Sequence, residues 1–203
     1  MSTAVGGVLE IANGALKRLF AGFALLAPAT LGLLARADDG SSAWAGWDSA
    51  LGILASLLIF AALYQLGLER KNDYPLRLAG ALWSGELGMR IAVSLLPDGQ
   101  LPIGEARILR LFLAGGAGLC LAWSFGRTIP AGRLQALWVA VRWTFTLQLA
   151  VYFTLELLAL TTTRTATEIV ARVPEDWAVP LAWTTFALPY TALLFALHRT
   201  LRR

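Results

Sequence analysis

Residues 134–160 read LQALWVAVRWTFTLQLAVYFTLELLAL, an apolar run whose only charges are Arg142 and Glu156. As a helix the run would be about 40 Å long at 1.5 Å rise per residue. That exceeds the ~30 Å hydrocarbon core of a bilayer. It reads as one membrane-spanning helix, and the rest of the chain can be placed around it. Five further segments are long and apolar enough to match: roughly 19–35, 49–68, 77–96, 108–125 and 177–197. Between them stand Asp38-Asp39-Gly40, Asn72-Asp73-Tyr74-Pro75, Pro97-Asp98-Gly99 and Pro130-Ala131-Gly132, residue types that break helices and favour turns. No connection is long enough for a separate folded domain. The expected fold is all-α: residues 1–203 form one polytopic membrane domain of six transmembrane helices in a single bundle.

Composition agrees. The 203 residues are 57% hydrophobic and 15% charged, with a mean hydropathy of +0.63, against about 25% charged in soluble domains. The net charge of +4 does not point to nucleic acid, because the basic residues are scattered at segment ends rather than clustered. Cys120 is the only cysteine and His198 the only histidine. An intrachain disulfide, a cysteine metal site and a histidine ligand cluster are thereby excluded, and no cofactor is expected.

Basic residues orient the chain. With a cytoplasmic N-terminus, Lys17, Arg18, Arg70, Lys71, Arg77, Arg127, Arg133, Arg199, Arg202 and Arg203 fall inside. Arg36, Arg107, Arg110, Arg164 and Arg172 fall outside. Ten against five follows the positive-inside bias, so both termini are expected in the cytoplasm. Trp44, Trp47 and Trp177 at the outer edge, with Trp123 and Trp138 near the inner one, match an aromatic belt. The Ala-, Leu- and Arg-rich composition suggests a bacterial inner (plasma) membrane. Lys17-Arg18, the apolar run 19–35 and Ala35-Arg36-Ala37 also have the outline of a signal peptide. The long preceding stretch with Glu10 favours an uncleaved span. Residues 4–16 suit an interfacial helix, and Thr165 to Glu168 matches a capping box. Pro28 and Pro189 read as ordinary kinks within spans rather than as marks of an inverted repeat.

Four charges lie at bilayer depth: Glu86, Arg90, Arg142 and Glu156. An ionisable side chain there costs about 2.5 kcal/mol or more, so it faces a partner or a watery cavity and marks a candidate site. Glu86 and Arg142 each lie nine residues inside an inner-edge arginine, about 13 Å deep. They are expected to pair. Arg90 follows Glu86 by one turn on the same face, with Gln148 near its level as an acceptor. Trp83 and Trp143 flank this stripe, and Glu156 is peripheral, near the outer interface. Two arginines against one carboxylate leave one positive charge in excess, which suits an anionic small molecule or a lipid headgroup. The bland reading is an interhelical salt bridge that only fixes packing. Ala114, Gly115, Gly116, Ala117 and Gly118 in the fourth segment suit close helix packing.

Enzyme signatures are absent. Trp83-Ser84-Gly85-Glu86-Leu87-Gly88 is similar to the serine–glycine turn of rhomboid-type intramembrane proteases. Leu82 replaces the first glycine of that pattern, however, and His198 lies far from Ser84 at the other end of the last segment. A serine without its base is a poor nucleophile. Nor do the segments contain aspartate for a paired-aspartate lipid transferase. The expected function is a transport or channel-type component embedded in the lipid bilayer. The alternatives are a non-catalytic subunit anchoring or assembling other membrane subunits, and a lipid-modifying enzyme using Glu86 or Glu156.

Overall fold

The turn residues divide the apolar runs into helices. The computed structural model describes residues 13–26, 45–95, 103–162 and 187–202, and six helices lie among them: α1 (13–26), α2 (Ala45–Glu69), α3 (Tyr74–Leu95), α4 (Ile103–Thr128), α5 (Arg133–Thr162) and α6 (Leu188–Leu201). The expected interfacial helix 4–16 lies outside the described residues except for its last four, which begin α1. The Thr165 capping box, Pro28 and the first half of the 177–197 segment also fall outside. Pro189 stands in the first turn of α6, where a missing N–H breaks no helical bond.

Short turns force antiparallel neighbours. Between α2 and α3 the chain reverses over four residues. Asp73 Oδ1 there accepts the Leu76 N–H at 3.3 Å, capping α3. Between α4 and α5, Gly132 takes φ +154°, a conformation that side chains with a Cβ rarely adopt, and its carbonyl accepts from Ala136 to start α5. The pairs 52/90, 56/86, 63/80 and 67/77 run antiparallel along α2 and α3. The pairs 86/110, 85/113, 82/116 and 73/124 do the same along α3 and α4.

Small and aromatic residues set the spacing. Gly118 of α4 lies so close to the Phe145 ring of α5 that an added Cβ would overlap it, and Gly116 stands against Leu82 of α3. Trp138 of α5 stacks on Phe125 of α4 at 4.7 Å and donates its indole N–H to Thr200 of α6 at 3.1 Å. α1 closes the ring. Gly22 lies against Ile59 and the Ala55 carbonyl of α2, while Phe20 and Phe23 meet His198 and Tyr190 of α6. Phe23 also meets the buried Trp83 of α3 edge-on, at 5.4 Å. Phe23, Trp83, Trp138 and Phe145 form the centre of the core.

Among the described residues, three helical stretches are long and apolar enough to cross a membrane: Ala50–Glu69, Leu109–Thr128 and Arg133–Thr162. α3 is 22 residues long but carries Arg77, Glu86 and Arg90. The outer surface is apolar too, with Leu54, Leu57, Leu147, Phe153 and Leu157 exposed, as lipid-facing positions are. The described residues are all-helical, and three of their helices are candidate membrane spans.

Candidate functional site

Glu86 is the centre of an ion network that joins Arg90 of its own helix to Arg110 of α4. Its side chain is 2% exposed. Oε2 accepts the Ser56 hydroxyl of α2 at 2.9 Å. Oε1 accepts Arg90 Nε and Nη2 of its own helix at 3.0 and 2.7 Å. The same oxygen accepts Arg110 Nε and Nη2 of α4 at 3.3 Å each. One carboxylate of α3 is thus tied to α2 by the Ser56 hydroxyl and to α4 by the Arg110 guanidinium, with the Arg90 fork closing on it from its own helix.

Each element brings its residue for a local reason. In α2, Gly52 and Ser56 are one turn apart on the face that meets α3. The absent side chain at Gly52 leaves room for Arg90 Nη1, and a Cβ there would overlap that nitrogen. In α3, Trp83 lies one turn before Glu86 on the same face and donates its indole N–H to the Ser56 carbonyl at 3.0 Å. In α4, Arg110 heads the stripe Ala114, Ala117 and Leu121, all buried. The helix therefore aims Arg110 inward, and it is only 15% exposed.

A second polar pair adjoins the network from α5. Gln148 is fully buried and donates Nε2 to the Tyr152 hydroxyl at 3.2 Å, while its Oε1 has no hydrogen-bond partner. That oxygen faces Gly115 of α4. Swapping the amide's O and N would let Tyr152 donate to oxygen and present an N–H₂ group there instead. Tyr190 of α6 packs on Phe145 at 5.7 Å and lies within electrostatic reach of Tyr152, Glu86, Arg90 and Arg110.

The residues expected to form the site divide. Glu86 and Arg90 come together, with Trp83 beside them. Arg142 does not join: its guanidinium lies 5.9 Å from the Trp123 ring centroid on the flank of α4. Equal depth fixes height along a helix but not direction around it. The inward face of α5 is set by Leu134, Trp138, Val141, Phe145, Gln148 and Tyr152, all buried and spaced three or four apart. At 3.6 residues per turn Arg142 lies about 80° around the helix from the centre of that stripe. Trp143 turns further away, at 63% exposure, and is not beside the site. Gln148 faces inward but bonds Tyr152 rather than Arg90. Glu156 is half-buried, with no ion-pair partner among the described residues. Ser84 is exposed and donates to the Ala81 carbonyl at 2.7 Å, the back-bond of a helical serine rather than the pose of a nucleophile.

Sequence reasoning missed Ser56, Arg110 and Tyr152. Arg110, which the basic-residue bias counts among the outer cations, points inward. The signal was present in its register with Ala114 and Ala117. For Ser56 the signal was the Gly52-to-Ser56 pair of small residues, which opens a slot in an otherwise bulky helix. The positive excess persists with a different member: Arg90 and Arg110 now face Glu86.

Comparison with protein-family models, with curated proteins and with solved structures finds no match.

Proposed function

We propose that the chain is a six-span bacterial inner-membrane protein with both termini in the cytoplasm, and that it is a transport or channel-type component for a small anion bearing a carboxylate or phosphate. The observation that carries this reading is the occupancy of two arginines by one buried carboxylate. Glu86 is itself an anion held by Arg90 and Arg110, from two different helices. A solute carboxylate or phosphate offers the same kind of anionic oxygen acceptor, which can exchange with Glu86 Oε1 on those guanidiniums. Exchange would release Ser56 and α2 from Glu86, which couples ligand occupancy to the α2–α3–α4 contact. The unpartnered amide oxygen of Gln148 adds a second polar group within the same bundle core.

The test is uptake by the full chain in phosphatidylcholine vesicles, with labelled succinate and inorganic phosphate as probes. Wild type should accumulate at least one of them. Arg90→Ala should abolish that uptake while circular dichroism and elution in detergent stay unchanged. A wild type that moves neither anion, or an Arg90→Ala chain that simply unfolds, overturns the reading and leaves the network as a packing device.

One observation favours the alternative, an anchoring or assembly subunit. α5 is the longest helix, yet only 17% of its span is covered, against 39% and 44% for the spans of α2 and α4. That bare face suits a helix of another membrane subunit. A partner retained through mild solubilisation, and lost on Phe153→Ala and Leu157→Ala together, would support it.

A further inference from the structure

At the other end of α3 from Arg90, the turn after α2 and the last turn of α4 enclose a cavity of about 590 Å³. Its polar lining includes Arg70, Asn72, Asp73, Tyr74, Arg127 and Thr128. The cations here are arranged differently from those around Glu86. Arg70 is posed by the protein: its guanidinium lies 5.3 Å from the Phe125 ring centroid, and Nη1 donates to Thr128 Oγ1 at 3.2 Å. Nη2 and Nε have no hydrogen-bond partner among the described residues.

Asp73 offsets only one of the two cations, through Arg70. Its Oδ1 takes the Leu76 N–H, its Oδ2 takes the Ser124 hydroxyl, and Arg70 Nη1 stays 4.0 Å from Oδ2. Arg127 is exposed with no ion-pair partner among the described residues. Two guanidiniums against one carboxylate leave the cavity one positive charge in excess, with hydrogen-bond donors to offer.

Its level in the fold selects the ligand. The spans Ala50–Glu69 and Leu109–Thr128 both end at this cavity, so it lies where hydrocarbon gives way to headgroups. Tyr74, 72% exposed, stands at the same level, as interfacial tyrosines do. We infer that this cavity binds a phosphate group, presented by an anionic phospholipid of the inner leaflet, with Arg70 and Arg127 as the paired phosphate ligands. The inference rests on the membrane placement proposed above and not on the Glu86 network, so loss of anion uptake would leave it standing.

Native mass spectrometry of the full chain, with phosphatidylglycerol and phosphatidylcholine of matched acyl chains, tests it. Flotation of the reconstituted chain with its vesicles checks membrane placement separately. Wild type should retain phosphatidylglycerol preferentially. Arg127→Gln, at an exposed position that carries no packing, should lower that retention about fivefold, and Arg70→Gln with Arg127→Gln should erase the preference. Arg77→Gln, an inner-edge cation outside the cavity, should leave it intact. Equal retention of both lipids by wild type, or an equal loss on Arg77→Gln, overturns the proposal. Equilibrium dialysis against inorganic phosphate distinguishes the source: saturable, Arg127-dependent uptake of phosphate from solution assigns the same site to a soluble phosphate and overturns the lipid assignment.

Discussion

Glu86 accepts from Ser56, Arg90 and Arg110 while almost wholly buried, so each partner it loses leaves charge stranded in a medium that cannot solvate it. Removing one member of such a group typically costs about 3–5 kcal/mol. Arg110→Gln should therefore lower the thermal midpoint in detergent markedly. Arg142→Gln removes only a cation–π contact on the helix flank, worth about 0.5–1 kcal/mol, and should shift the midpoint little. Side-by-side melts check this, and a larger loss for Arg142→Gln would contradict the geometry described. The pairing of Glu86 with Arg90 could be read from sequence because four residues along one helix define both height and direction. Arg142 and Arg110 could not be sorted by depth alone. The inward stripe of α5 and the small-residue stripe of α4 decided between them, and both stripes are visible in the sequence once helices are assigned.

The middle of α4 decides how closely the helices approach. Gly118 accepts the Phe145 ring against its backbone, and Phe145 is itself fully buried with no slack. Gly118→Val should push α4 from α5 and cost about 1–3 kcal/mol or more by overpacking. Gly88 of α3 has nothing within reach of an added Cβ, so Gly88→Ala should leave the midpoint unchanged or raise it. Thermal unfolding of the two variants separates a spacing role from general helix propensity. Element existence was legible because the apolar runs are long and the turns carry Asp, Pro and Gly. Ends were less so: α4 runs from Ile103 to Thr128 where 108–125 was expected, since Arg107 and Arg127 continue a helix as readily as they end a span.

Across the whole molecule, the basic residues bear on orientation. With Arg110 drawn into the Glu86 network, the expected outer side keeps four cations against ten on the inner side. Reporter fusions after Arg203 and in the 97–102 loop should accordingly give opposite signals, cytoplasmic for the first and external for the second. Matching signals would contradict the six-span arrangement. Hydropathy made the membrane class plain. It could not give the ring order, because which helices touch depends on Phe20, Phe23, Trp138 and Tyr190 meeting across long sequence separations.

The closure of the ring by α1 also bears on synthesis. α1 packs against α6, some 170 residues later in the chain, through Phe20 with His198 and Phe23 with Tyr190. Until α6 is made, Phe20 and Phe23 of α1 and Phe145 of α5 lack the rings they meet on it. Those contacts therefore form only after the stretch between α5 and α6 has been translated, however early the other helices pack.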